Sequence, residues 1–195
     1  MVLSRRTFLY GLAAPALLAP SLQAAAAEPF AVNMKEAAQV DYKFRMREME
    51  FETSEPPGTI VVDSRKCFLY LVLGNGQALR YGVALGKGAH AWTGEVTVKK
   101  MKAWPNWIPA PYHLKVKPDL AKYLPDGMPG GPDNPLGARA LYLFKGEVDT
   151  INRIHGAAKL REIGKKATAG CIGMLNAHVV DLYSRVQLGT RVVMI

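Results

Sequence analysis

In the stretch RIHGAAKLREIGKKATAGCIGM, residues 153 to 174, a histidine and a cysteine flank a loop crowded with lysine and arginine. A cysteine becomes a useful nucleophile when nearby positive charge or a base stabilises its thiolate. His155 can supply the base for Cys171, while Lys159, Arg161, Lys165 and Lys166 add positive potential opposed by Glu162. Gly156 and Gly170 remove side chains beside the two groups, so a substrate backbone could approach closely. The amide of Cys171 itself could face a developing oxyanion. The pattern suits nucleophilic attack on a carbonyl. It also suits a surface loop that merely contains both residues, and spacing alone leaves the two readings open.

Other chemistry has less to stand on. His178 is close to Cys171 in sequence, but in a helix opening at Asn176 it falls near the N-terminus and is expected to face solvent. His90 and His113 lie in glycine- or proline-rich stretches. No Cys-x-x-Cys or His-x-x-x-His spacing occurs, so no metal site is expected. GKGAHAWTG has glycines but no helix after it, so no phosphate loop is read and no cofactor is implied. Cys67 opens the apolar run CFLYLVL and reads as a small hydrophobe in a strand. A disulfide between Cys67 and Cys171 stays open, because sequence does not fix whether they approach.

The elements that must position His155 and Cys171 are mostly strands. TIVVD, CFLYLVL and ALRYGVAL are short runs rich in Val, Ile, Leu and Tyr, and Gly74-Asn75-Gly76 predicts a tight hairpin between the last two. EVTVKKM, RALYLF, TINRIH and TRVVMI are further strands. The proline-rich stretch from Ala103 to Gly137 reads as a long ordered loop. Short helices are predicted over residues 157–163 and over 176–185, the second with Asn176 as its N-cap. Residues 28–57 form a lead-in of mixed charge and no clear period. Many short strands with few helices make a mainly-β sandwich or barrel. His155 then ends a strand and Cys171 precedes a helix, where a rigid sheet holds loop ends in place.

A chain of 195 residues supports one ordinary domain, and its formal charge of +9 favours an anionic partner. Nucleic acid, acidic lipid and an anionic polymer such as a cell wall all fit that charge. The first residues narrow the choice. MVLSRRTFLYGLAAPALLAP carries paired Arg5 and Arg6 before an apolar stretch, then a small-residue run from Ala24 to Ala27. This reads as a twin-arginine export signal over residues 1–27, cleaved after Ala26 or Ala27. The apolar stretch is too short and too proline-broken to span a membrane, so no stable span is expected after cleavage. Export to the periplasm argues against nucleic acid and for a partner in the envelope.

RIHG, followed by IGKKATAGCIGMLNAHVVDLYSRVQLGTRV, resembles the active-site region of the L,D-transpeptidase family, the YkuD-type catalytic domain. The family motif is His-Gly, a variable loop, then Ser/Thr-His-Gly-Cys-apolar-Arg. PPGTIVVD, FLYLVL, GKGAHAWTG, WPNWIPAP and PGGPDNPLGARALYL also resemble proline-rich envelope members. The resemblance implies a β-sandwich catalytic domain over residues 58–195, with one or two short helices and a long proline-rich loop. It implies Cys171 as nucleophile, His155 as general acid/base, Thr168 at the Ser/Thr position and Gly170 before the nucleophile. The implied partners are peptidoglycan stem peptides. The thiolate would attack the peptide bond after the diamino-acid residue of a tetrapeptide stem, release D-alanine and leave a thioester. An amine would resolve that thioester to a cross-link, or water to a trimmed stem. Two positions depart from the motif. Ala169 stands for the histidine before Gly170, and Gly173 for the arginine two residues after the cysteine, removing a planar charged donor. Lys165 or Lys166 would then be the substrate-binding cation that compensates. Otherwise the protein would be altered in its reaction, as a hydrolase of the same fold or a peptidoglycan-binding domain. Oligomeric state is not legible.

Overall fold

The computed structural model describes residues 28–87 and 92–195. The export segment with Arg5 and Arg6, and His90, lie outside the described residues. Eleven strands are present among the described residues: β1 (Arg47–Glu50), β2 (Ile60–Asp63), β3 (Phe68–Gly74), β4 (Gln77–Gly82), β5 (Leu85–Gly86), β6 (Gly94–Ala103), β7 (Arg139–Lys145), β8 (Val148–His155), β9 (Lys166–Thr168), β10 (Ile172–Gly173) and β11 (Arg191–Met194). Three short α-helices join them: α1 (Glu36–Gln39), α2 (Pro111–Val116) and α3 (Asn176–Arg185). The protein is mostly β with few short helices, as its sequence leads one to expect.

Nine strands make one sheet in the order β1-β4-β3-β2-β11-β6-β7-β8-β10. The β3–β4 hairpin turns on Asn75 and Gly76, both at positive φ (51° and 72°), with Gly74 paired to Gln77. Those are the conformations that an Asn-Gly pair adopts at low cost. β11 enters the middle of the sheet, parallel to β2 on one side and antiparallel to β6 on the other.

The sheet curls until its two ends meet. Beyond β4 the chain runs through Ala84, whose amide and carbonyl exchange 2.8 Å hydrogen bonds with the carbonyl and amide of Gly173. β5 then pairs in parallel with β9. The enclosed core holds Ile60, Leu69, Tyr81, Val98, Leu141, Ile154, Ile172 and Val192, with Val179 and Leu182 of α3 packed among them.

The lead-in is built into this fold. β1 pairs antiparallel with β4 at the edge of the sheet. Phe44, Met49 and Phe51 cover the outer face of the hairpin, against Val61, Phe68, Tyr70 and Val72, and Phe51 stacks on Tyr70 at 4.3 Å. This is why β3 and β4 are buried on both faces and β3 reads as a continuous apolar run. Their cover is hard to read from sequence because it is short and divided: Phe44 comes from a 3-10 turn at Tyr42–Phe44, and Met49 and Phe51 alternate along and just beyond four-residue β1.

Three local expectations change. Residues 157–163 form only a 3-10 turn at Leu160–Glu162, because Ala157 is held at φ 59° and the Ala158 amide is tied to Met174. The stretch from 103 to 137 is not all loop, since α2 and a 3-10 segment at Pro118–Tyr123 each start on a proline. His178 is buried, not solvent-facing, and its ring packs edge-on to Tyr81 at 6.0 Å. Four-residue helical spacing puts it on the same face as Leu182, which points into the core.

Phe44 is a keystone of the lead-in. A side chain on either Gly82 or Gly164 would collide with it, and Gly164 sits at φ 81°. Removing its ring leaves a cavity between β4 and the loop before β9. Phe44→Ala is expected to cost about 3 kcal/mol, the low end for a phenylalanine not wholly buried. The check is the midpoint of urea unfolding. An unchanged midpoint would mean that the lead-in is dispensable.

Candidate functional site

Strand register brings the predicted residues together. In the parallel pair β8–β10, Ile154 lies opposite Ile172 and His155 opposite Gly173. Ile154 and Ile172 both point into the core. Alternation therefore puts Arg153, His155, Cys171 and Gly173 on the opposite face, with Cys171 level with Arg153. That face is the floor of an open groove of about 1150 Å³. Cys171 and Ala169 line one part of it, Lys100, Lys102, Tyr142 and Arg153 line the floor, and Trp104, Trp107, Ile108, Tyr112 and His113 form a wall.

The wall keeps its shape through buried Asn134. Its Nδ2 faces the carbonyls of Pro105, Met128 and Pro129 at 3.0 Å, and its Oδ1 accepts from the Leu136 amide. A proline-rich loop has few amides of its own to pair, so a side-chain amide supplies the cross-ties.

His155 Nδ1 lies 2.7 Å from the Gly156 carbonyl. A carbonyl can only accept, so Nδ1 carries the proton and Nε2 keeps its lone pair. Burial lowers the His155 pKa to about 4, and the Arg153 charge pushes the same way. The ring is therefore neutral at pH 7. Burial pushes the Cys171 thiol up, against the opposing pull of the Arg153 amide and its charge. The resting pair is a neutral thiol and a neutral imidazole, without a preformed ion pair. His113 has the reverse tautomer, since its Nδ1 accepts from the Ala110 amide at 3.0 Å. It offers the groove a donor, whereas the free ring nitrogen of His155 is an acceptor.

The neighbours of Cys171 fix its backbone. Thr168 Oγ1 donates to the Cys171 carbonyl at 2.5 Å. Gly170 is buried at φ 111°, a conformation that side chains resist. Cys67 and Cys171 are both free thiols, and Cys67 is buried. Gly173 is closely surrounded: a Cβ there would lie 3.3 Å from Ala158 Cβ and 3.5 Å from both Ala84 Cβ and Thr168 Cγ2. Lys165 and Lys166 are exposed and lie outside the lining of the groove, and Lys166 borders a shallow depression with Trp92 and Gly170.

Sequence reasoning passed over Arg153, Lys100 and Lys102, which carry positive charge into the groove, and it misassigned Asn176. Asn176 does not act as the helix cap. Its Oδ1 accepts from the Ala138 and Ala157 amides at 2.9 and 3.1 Å, in a space that Gly137 and Gly156 leave by lacking side chains. The Ala177 amide of α3 is met by Glu36 of the lead-in. Asn176 thus clamps the turn just after His155, the turn whose carbonyl holds the imidazole. The pairing of Gly137 and Gly156 with an asparagine was the available signal.

The YkuD L,D-transpeptidase catalytic domain matches residues 57–194. A protein from the ATP synthase subunits region of Fuscovulum blasticum, assigned by name to the L,D-transpeptidases, is 35% identical over 99 residues, or 51% of this chain and 48% of that protein. The chain thus spans about half the length of that relative. Among solved structures, a Brucella melitensis protein named as a probable carnitine operon oxidoreductase is 44% identical, covering 80% of this chain and 96% of that one with a TM-score of 0.54. The oxidoreductase name is a statement about that protein. A cysteine-to-serine mutant of the Enterococcus faecium L,D-transpeptidase is 17% identical, covers 70% of this chain and 49% of that one, and has a TM-score of 0.51, a likeness of fold.

Asn176→Ala would orphan two amides in a tight space. It is expected to destabilise the protein by about 2 kcal/mol, whereas Asn176→Asp, which keeps the acceptor, should cost less than about 1 kcal/mol. Denaturant unfolding of both variants checks this, and equal losses would show that the clamp is not an acceptor clamp.

Proposed function

Because the chain belongs to the L,D-transpeptidase (YkuD) family, we propose that it is a cysteine acyltransferase acting on peptidoglycan stem peptides in the periplasm. The observation that supports this reading is the register of β8 and β10, in which His155 and Cys171 fall on one face of the sheet, Cys171 lining the groove and His155 keeping its Nε2 lone pair.

The thiol proton passes to His155 Nε2 as Sγ attacks the carbonyl of the diamino-acid residue in a tetrapeptide stem. The C–N bond to the terminal D-alanine breaks, and His155 returns the proton to the departing amine. The thioester on Cys171 is then attacked by an amine of a neighbouring stem, which loses a proton to His155 and frees the thiol. Water in place of the amine would give a trimmed stem. Gly156 acts through its carbonyl, which orients the imidazole and favours the tautomer that can accept. Thr168 and Gly170 set the backbone on either side of the nucleophile. His113 is the weaker candidate for the base, because its Nδ1 is occupied by an amide and its Nε2 holds the proton.

Cys171→Ala is expected to abolish cross-linking of purified sacculi by the protein, and Cys67→Ala to leave most of it, as read from muropeptide products. Equal loss from both would remove the free-thiol reading. Trimmed tetrapeptides without cross-links would make the protein a hydrolase.

The pH dependence tests the base. A neutral thiol served by a base of pKa about 4 reacts at a rate that is flat from about pH 5 upward and falls as His155 protonates below that. His155→Gln should turn the plateau into a rate that climbs with pH as thiolate accumulates. Acylation of Cys171 by a carbapenem, followed by intact mass, gives both profiles. A plateau that survives His155→Gln would rule out this base.

Export follows from Arg5 and Arg6 in this reading. Replacing both with lysine should leave unprocessed precursor in the cytoplasm, as read by cell fractionation.

A further inference from the structure

The groove floor carries a row of side chains that leads to Cys171. Lys100 of β6 lies opposite Tyr142 of β7, Tyr142 opposite Arg153 of β8, and Arg153 is level with Cys171. The Arg153 guanidinium lies 4.3 Å from the centre of the Tyr142 ring and the Lys100 ammonium 4.9 Å from it. Two cations are thus held against one aromatic ring beside Cys171 and open to the groove.

β8 is distorted to make this possible. On a regular strand, residues 149 and 153 would be about 13 Å apart. Between the pairs Phe144–Asp149 and Tyr142–Arg153, however, β8 has three residues where β7 has one. The excess is taken up at Ile151, held at φ 63°, and Thr150 Oγ1 ties the bulge to the Leu143 carbonyl at 2.6 Å. Asp149 therefore meets Arg153 in a two-pronged pair, at 2.6 Å from Oδ1 to Nη1 and 2.9 Å from Oδ2 to Nη2. Nη1 also donates to the Asn152 carbonyl. Among the described residues nothing takes Nε or the second hydrogen of Nη2, which leaves both for a ligand. The guanidinium is fixed by its partners and partly enclosed, so a planar donor is held in advance beside Cys171. Gly173, on the same face, contributes no side chain.

We propose that Arg153, braced by Asp149 and Tyr142 and assisted by Lys100, forms a carboxylate-binding subsite that orients the acyl donor at Cys171. Its ligand is the free carboxylate borne by the diamino-acid residue whose carbonyl is attacked. This rests on the acyl-transfer reading above for the identity of the ligand. Asp149 is both brace and competitor: it aims the guanidinium and takes part of its donor capacity.

The test uses binding alone. Calorimetry on the Cys171→Ala protein compares two synthetic tetrapeptides, L-alanyl-D-isoglutamyl-diaminopimelyl-D-alanine and the same peptide with the side-chain carboxyl of its diamino acid amidated. The carboxylate form is expected to bind about tenfold more tightly, as suits a charge-assisted, fork-shaped contact. Adding Arg153→Gln should shrink that preference to within about twofold, and Arg153→Lys should restore only part of it. Adding Asp149→Asn should enlarge it, because the guanidinium is then released from its internal partner. If Arg153 serves only to hold the bulge through Asp149, the Gln and Asn variants shift in the same direction. That result overturns the proposal, as does the absence of any preference in the starting protein. Failure of the acyl-transfer reading would instead appear as a missing Cys171 adduct in the mass experiment. An Arg153-dependent preference found beside that failure would leave the subsite standing as a binding site.

Discussion

Everything at the site depends on the pair of hydrogen bonds between Ala84 and Gly173. They join the continuation of the second strand from one end of the sheet to the strand at the other end, and so close the sheet around its core. The same residue, Gly173, is aligned with His155 on its other side. Cys171 hangs two residues upstream of this seam, so its position relative to His155 is set by backbone ladders on both flanks. A Cβ at Gly173 would already touch Ala158, Ala84 and Thr168, so a longer side chain there would have to find its way past them. A charged residue supplied from the next strand, Arg153, avoids that crowding and still reaches the same face.

The groove's electrostatics follow from where burial and charge are placed. Burial alone would make the thiol inert and the imidazole neutral, which is what the two pKa shifts express. The Gly156 carbonyl turns neutrality to advantage by choosing the tautomer. Four cations and two carboxylates line the groove, so the floor is positive on balance without being a uniform field. Such a surface favours anionic ligands over a short range and is screened beyond it.

Much of this was legible in the sequence, for physical reasons. The hairpin at Asn75-Gly76 was readable because two adjacent positive φ angles need those residues, and β2 and β3 because burial on both faces leaves unbroken apolar runs. His155 and Cys171 stood out because each is coupled to a glycine that the local backbone requires. What could not be read depends on register. Lys165 and Lys166 are near Cys171 along the chain, but Arg153 is beside it in space, and a parallel pairing of two-residue β10 leaves no sequence signature. The bulge in β8 likewise hides the meeting of Asp149 with Arg153. Asn176 looked like a cap because cap residues and clamp residues have the same chemistry. The lead-in showed no clear period because its covering side chains are few: Phe44 on a 3-10 turn, then Met49 and Phe51 alternating over a strand only four residues long.

The place of β11 has a consequence for the order of events during synthesis. It is the last of the described strands to leave the ribosome, yet it separates β2 from β6 and bonds to both. Until it arrives, β2 and β6 are bare edges facing a gap, and the strands on either side can meet only across the Ala84–Gly173 seam. Such edges invite pairing with other chains, and contacts this distant along the sequence form slowly. A nascent chain of this protein thus stays open and adhesive until β11 has emerged, and any factor that shields it in that interval acts on the gap between β2 and β6.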